Sequence, residues 1–274
     1  VGEKLNVDPT HLQFFVTNPN GTVKNVIKRK TIVSHMISSL HGVSPHIILY
    51  DVLPMSLKEY ETKQLVRFIY LTDGISQEHR HEVLLPQTAK VQDLLPYFES
   101  KIKLSPEDLS KLHFWVSSNH LFSQEVPLNT PVSEVVKHDT LYAQVLSSEE
   151  QEWLESNTDL SEGIVIKVYQ FHKDPTSTHG VPFQFLLKPG EPFCETKMRL
   201  QKKLGMFDKL FERIKFAIVD VQHYDERQGS PYVEDEDEVL YDQFASDPEL
   251  MLGLDHMNRT PRRVHTERAI FIKD

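Results

Sequence analysis

An α+β chain of small modules in series, each a strand pair, one helix and a second strand pair, is the fold class that the sequence predicts. Three observations predict it. Leu12-Gln13-Phe14, Leu112-His113-Phe114 and Ile214-Lys215-Phe216 each put an aliphatic residue two positions before an aromatic, behind a helix end and a polar turn. The three copies lie about a hundred residues apart, the spacing of small domains in tandem rather than of a solenoid. Between the first two copies, β-rich runs at 64–71 and 81–85 are joined through Asp73-Gly74, which reads as a hairpin. Val91, Leu94, Leu95, Phe98 and Ile102 then fall at i, i+3, i+4, i+7 and i+11, one apolar stripe at the helical period.

The elements follow in order. In the first unit, residues 1–7 supply the end of a helix, 11–16 a strand and 45–54 a final strand, with no opening hairpin. That half module leaves a sheet edge unpaired, so the chain is expected to be part of a longer protein. In the middle unit the helix is expected to take Asp93 as N-cap, with Pro96 in its first turn, where a missing N–H costs least. Strands at 112–116 and 140–146 close it, around a loop from Pro127 to Pro131. An acidic, polar stretch at 147–162 around Trp153 and Leu154 reads as a short helical linker. The last unit repeats the order with a hairpin of 164–171 and 181–187 across a looser, Pro-containing loop. Its helix face is Phe193, Thr196, Leu200 and Leu204, and its next strand runs over 213–219. Residues 225–242 hold eight acids against the single base Arg227, an insertion expected to be mobile.

Strand, strand, helix, strand, strand in about ninety residues, with one helix on a mixed sheet, is the ubiquitin-like β-grasp order. The expected organisation is therefore tandem ubiquitin-like β-grasp domains, the first incomplete: 1–57, 58–148, a linker at 149–162, 163–258, and a C-terminal tail at 259–274.

Composition excludes several functions. The 274 residues, 39 % hydrophobic and 26 % charged, contain no apolar run near the ~18 residues that cross a bilayer, so no membrane partner is expected. A net charge of −10 argues against nucleic acid, which is held through Lys and Arg on phosphates. The single cysteine, Cys194, fits a reducing compartment.

Chemistry is sparse. Cys194 opens a helix, yet no elbow-like turn surrounds it, and it reads as structural. His79-Arg80-His81-Glu82-Val83-Leu84-Leu85 begins like a zinc-protease helix, but Leu85 stands where the second ligand must be. The acidic run at 234–238 lacks calcium-loop spacing, and no Gly-rich phosphate cradle occurs. No catalytic residue, metal or cofactor is expected.

One segment stands out. Residues 259–274 carry five bases, Arg259, Arg262, Arg263, Arg268 and Lys273, against Glu267 and Asp274, and run into Ala269-Ile270-Phe271-Ile272. A basic stretch ending in apolar residues needs a groove, either as a strand added to its own sheet or as a tethered peptide docking elsewhere. Burying Ile270 and Ile272 contributes roughly 3–6 kcal/mol before ordering costs. That is weak from solution but sufficient on a tether that supplies an effective concentration on the order of millimolar.

Gly180-Val181-Pro182-Phe183, the run from Phe211 to Val219, Leu252-Gly253-Leu254-Asp255-His256 and Arg268-Ala269-Ile270-Phe271-Ile272 resemble the C-terminal end of the herpesvirus-associated ubiquitin-specific protease family, in a fungal member. His11-Leu12-Gln13-Phe14-Phe15 resembles its third ubiquitin-like domain. The resemblance implies a papain-like thiol protease domain upstream, a deubiquitinase, whose activity the last ubiquitin-like domains and the tail raise. It implies Ile270 and Ile272 as the inserting residues, with Phe271 beside them and Arg268 preceding them. It implies no catalysis in this region, and as partners the protein's own catalytic domain and ubiquitinated substrates or adaptors. A shorter tail without tyrosines and a longer acidic loop depart from the vertebrate pattern.

Overall fold

The computed structural model describes residues 2–17, 22–28, 30–31, 48–135, 140–155, 163–220 and 232–257. The chain divides into two compact units, Val1–Val66 with Glu82–Ala89, and Arg67–His81 with Lys90–Asp274.

In the first unit, a short helix, Gly2–Leu5, leads to a single 3-10 turn, Pro9–His11, capped by the Asp8 carboxylate, which accepts from the Thr10 N–H at 2.8 Å. Three strands follow: β1 (Leu12–Thr17), β2 (Val23–Ile27) and β3 (Ile48–Val52). Both β2 and β3 pair antiparallel with the central β1. Leu12 and Val16, four residues apart on one face of the pleat, are buried, whereas Val23, Val26, Leu49, Tyr50 and Val52 are exposed. These strands correspond to the closing half of a β-grasp.

The next sheet runs in the order β5-β4-β8-β6-β7, built from β4 (Lys63–Thr72), β5 (Gln77–Pro86), β6 (Leu112–Ser118), β7 (Leu121–Glu125) and β8 (Thr140–Val145). β8 lies parallel to β4 and antiparallel to β6, the mixed pairing that defines a β-grasp. One face, Phe68, Tyr70, Phe114, Val116, Leu141 and Ala143, is buried under the helical segment, where Phe98 meets Phe68 at 5.1 Å and Phe114 at 5.8 Å between ring centroids.

That segment differs from the regular helix expected. It is a 3-10 turn at Val91–Leu94, one α turn at Leu95–Tyr97 and a π turn at Phe98–Ile102. It starts before Asp93, whose carboxylate instead accepts from the Lys90 N–H at 2.8 Å. The earlier start is possible because the Pro127–Pro131 loop satisfies the first free donors: the Val91 and Gln92 N–H groups donate to the carbonyls of Thr130 and Leu128. Val91, Leu94 and Phe98 are fully buried, while Leu95 and Ile102 are only partly so.

The last sheet has the order β10-β9-β12-β11, from β9 (Ile164–His172), β10 (Asp174–Leu187), β11 (Lys215–Asp220) and β12 (Leu250–Asp255), with β12 parallel to β9. The β9–β10 connection is tighter than expected: it turns at Lys173, at φ 64°, and the Pro-containing stretch joins β10 through two bulges. The helix Phe193–Leu204 buries Phe193, Thr196, Leu200 and Leu204 and ends at Gly205, which adopts the left-handed conformation. Its N-terminus has no side-chain cap. The acidic insertion serves instead: the Phe193 and Cys194 N–H groups donate to the Glu238 and Glu236 carbonyls at 2.9 Å, and Lys197 meets Glu236 at 2.7 Å. Tyr232 bridges Ala217 on the edge of β11, where β7 runs in the preceding module. The described half of the insertion, 232–242, is thus hydrogen-bonded to the module rather than detached from it. Helix N-termini attract this segment because their four free N–H groups donate to backbone carbonyls and the dipole favours the neighbouring carboxylates.

Candidate functional site

Within the second unit, the last module and the part of the middle module that belongs to it share one core. Alternation along β4, β6 and β8 gives the sheet a second apolar face, Ile69, Leu71, Trp115 and Tyr142, which joins Ile75, Phe122, Val181, Phe183 and Phe185 in one hydrophobic cluster. Trp115 stacks on Tyr142 at 5.6 Å and donates its indole N–H to the Pro182 carbonyl at 3.1 Å, satisfying the one polar group that a buried tryptophan carries.

Turn chemistry locks the junction. The Asp73-Gly74 turn, both residues at positive φ, sits against the end of the long helix, and the Ile75 N–H donates to the Lys203 carbonyl at 3.0 Å. A Cβ on Gly74 would lie 2.1 Å from that carbonyl oxygen. No side chain fits there. Gln144 donates to the Gly74 carbonyl at 2.9 Å and accepts from Lys203 at 3.3 Å, and Lys203 pairs with Glu150 on the linker helix Ser148–Glu155. Burial alone would raise the Glu150 carboxyl, but the Lys203 ammonium and donors from Ser147 outweigh it and leave it below the ordinary range.

His113, beside this network, is pushed down to about 4, by burial first and then by the Lys203 charge. It is neutral near pH 7, so its 3.8 Å approach to Glu125 is not an ion pair there. The space between His113, Trp115, Glu150 and Lys203 measures about 30 Å3, room for a single water and too small for a ligand.

A larger space opens on the other side of the junction. A cleft of about 830 Å3 has an apolar wall of Ile75, Val181, Leu204, Met206, Phe207, Leu210 and Ile214, with Asp73, Glu78 and Arg213 among its charged groups. Phe207 is 81 % exposed. At the back, Gln170 donates to the Val181 carbonyl at 3.1 Å and accepts from His256 Nε2 at 2.9 Å. His179 Nε2 donates to the His256 carbonyl at 3.0 Å, and the two rings meet edge to face at 4.7 Å. Burial lowers the pKa of both. Met257, the last described residue, lines the same cleft.

Cys194 lies on the first turn of the long helix, its N–H committed to Glu236. His79 and His81 lie on β5, not on a helix, and bond Thr72 at 3.0 Å and the Tyr97 hydroxyl at 3.1 Å. Among the described residues no group of three His, Cys, Asp or Glu could hold a metal ion. The tail residues singled out from the sequence, Arg268, Ile270, Phe271 and Ile272, lie outside the described residues.

The pattern of the ubiquitin-specific protease C-terminal family matches residues 47–261, most of the chain and all of its paired modules. The chain belongs to this family. Among curated proteins it is 34 % identical over 261 residues to ubiquitin carboxyl-terminal hydrolase 15 of Schizosaccharomyces pombe, covering 93 % of this chain and 22 % of that protein. It is 27 % identical to ubiquitin carboxyl-terminal hydrolase 7 of Drosophila melanogaster, covering 99 % of this chain and 25 % of that one. Ubiquitin C-terminal hydrolase 12 of Arabidopsis thaliana is 26 % identical over 85 % of the chain, with 21 % of its own length covered. The chain therefore spans about a fifth to a quarter of the curated relatives that it matches.

Sequence reasoning placed the strands that carry this junction but missed the junction itself. The available signal was the doubly apolar reading of β4, β6 and β8, which marks a sheet covered on both faces.

Proposed function

We propose that this region is the non-catalytic regulatory part of a ubiquitin-specific thiol protease, a deubiquitinase, whose paired β-grasp modules hold an activating C-terminal tail. The observation that carries the reading is the joined unit itself. A shared core, the Trp115 hydrogen bond and the Gly74 packing favour a rigid spacer, and Ile270, Phe271 and Ile272 follow its last described residue, Met257, in the sequence. A stiff mount keeps a weak segment at high effective concentration near one target. The partner is the protein's own upstream catalytic domain. The tail shifts it towards its active arrangement by binding that arrangement better than the inactive one. Ubiquitinated proteins are the substrates, and the nucleus and cytoplasm the compartments. Among the described residues no helix is long and apolar enough to cross a membrane.

Deleting residues 265–274 from the full-length enzyme is expected to lower kcat/KM for a ubiquitin substrate by about tenfold, the effect of a 1.4 kcal/mol bias. Unchanged kinetics would remove the tail from the mechanism. The exposed Phe207 and Met198 favour a second reading, a docking module for substrates or adaptors. Binding of a defined adaptor that survives the same deletion and is lost in Phe207→Asp would support it.

A further inference from the structure

We infer that the cleft between the paired modules is a docking site, in cis, for the apolar end of the chain's own C-terminal segment, Ile270-Phe271-Ile272. The cleft offers apolar surface in need of cover: Phe207 and Met257 are exposed at its rim, and Met206 and Leu210 are half-buried beside them. The segment begins at that rim, since Met257 lines the cleft and residue 258 follows it directly. Thirteen residue-to-residue steps separate Met257 from Ile270. At up to ~3.5 Å per residue they span about 45 Å, ample to turn back into a space that opens at their root.

Charge agrees with this occupant. Arg259, Arg262 and Arg263 lie within six residues of Met257, and Asp73 and Glu78 line the same cleft. Docking would set this basic segment beside two carboxylates of a chain that is acidic overall, with Arg213 the opposing charge in the lining. The tether makes the contact favourable: an effective concentration on the order of 1 mM against a Kd of about 0.1 mM keeps the site roughly 90 % occupied. The docking does not depend on the activation reading. Only its consequence does, because a segment held here is withheld from a catalytic domain.

Methyl NMR on the full 274-residue chain tests it. The Ile270 and Ile272 methyls are expected to show contacts to the Met206 and Leu210 methyls. Substituting Ile270→Asp and Ile272→Asp together should shift the Met206, Leu210 and Met257 signals while leaving those of Leu252 and Leu254 in the sheet core in place. Phe207→Asp should bring occupancy down to about half, a tenfold loss of affinity. Its exposure makes the change tolerable to the fold, and the tail double variant tests the same contact without touching the modules at all. Cleft methyls that are identical in the wild type and the tail variant would overturn the proposal. So would tail contacts to a strand edge, or contacts that fade on tenfold dilution, which would make a second copy the occupant. Because the readout is structural, tail deletion can leave activity unchanged while docking holds, or the reverse, so the two proposals fail separately.

Discussion

The dipeptide Leu-Tyr occurs in the closing strand of the first unit, as Leu49-Tyr50, and in that of the middle module, as Leu141-Tyr142. In β3 these side chains are 39 % and 47 % exposed; in β8 they are 1 % and 4 % exposed. Both strands pair antiparallel with the strand that follows the repeated turn. The difference lies in what covers them. β8 has β4 parallel on its other edge, a helical segment on the Leu141 face and the last module on the Tyr142 face. β3 has a single strand neighbour among the described residues. Burial of a strand belongs to the layers around it and not to its own letters.

The largest expected effect breaks that comparison directly. Leu141→Ala should cost about 2–5 kcal/mol, the transfer and cavity terms of a filled core, whereas Leu49→Ala should stay within about 0.5 kcal/mol. Urea midpoints at constant m-value would show it; equal losses would mean that the two strands are equally enclosed in solution.

Gly74→Ala sharpens the contrast by attacking the junction instead of a core. A positive φ and a 2.1 Å clash with the Lys203 carbonyl predict a loss of about 2–3 kcal/mol and a rise in the exposure of Trp115, read from its fluorescence in a Trp153→Phe background. Loss of stability without any change at Trp115 would place the strain in the hairpin alone.

The third prediction uses protons. His81, His113, His179 and His256, all in the second unit, have pKa values lowered first by burial, His113 to about 4. The unfolded chain therefore binds more protons than the folded one below pH ~6.5. His113 contributes full stability above that pH and loses up to about 3 kcal/mol as pH falls from 6.5 to 4. The Glu150 carboxyl, lowered by Lys203, adds a further loss below the ordinary carboxyl range. Urea midpoints followed by Trp115 should fall steadily between pH 6.5 and 4.5, less so in His113→Asn. A flat profile would show that His113 is not buried in solution.

Much of this was legible in the letters. The recurrent turn before each central strand, the face of Phe193, Thr196, Leu200 and Leu204 and the stop at Gly205 are local patterns, and local backbone preferences with one-sided burial are enough to produce them. The exceptions are instructive. The segment after Lys90 reads as a regular helix, yet loop carbonyls from 128 and 130 take its first donors and shift its start. The run at 234–238 reads as a solvated acidic loop, yet its carbonyls complete a helix N-terminus some forty residues earlier in the chain.

By itself the sequence determined the modules: where strands alternate, where a helix must present an apolar stripe, and that the basic, apolar end differs in character from the acidic body before it. Only the tertiary structure decided that two modules share one core, that Gly74 must be bare because Lys203 packs on it, and that His179, Gln170 and His256 meet behind a cleft. These contacts join residues 60 to 130 positions apart in sequence. At such separations periodicity carries no signal, and only the closing of one surface on another specifies which side chains meet.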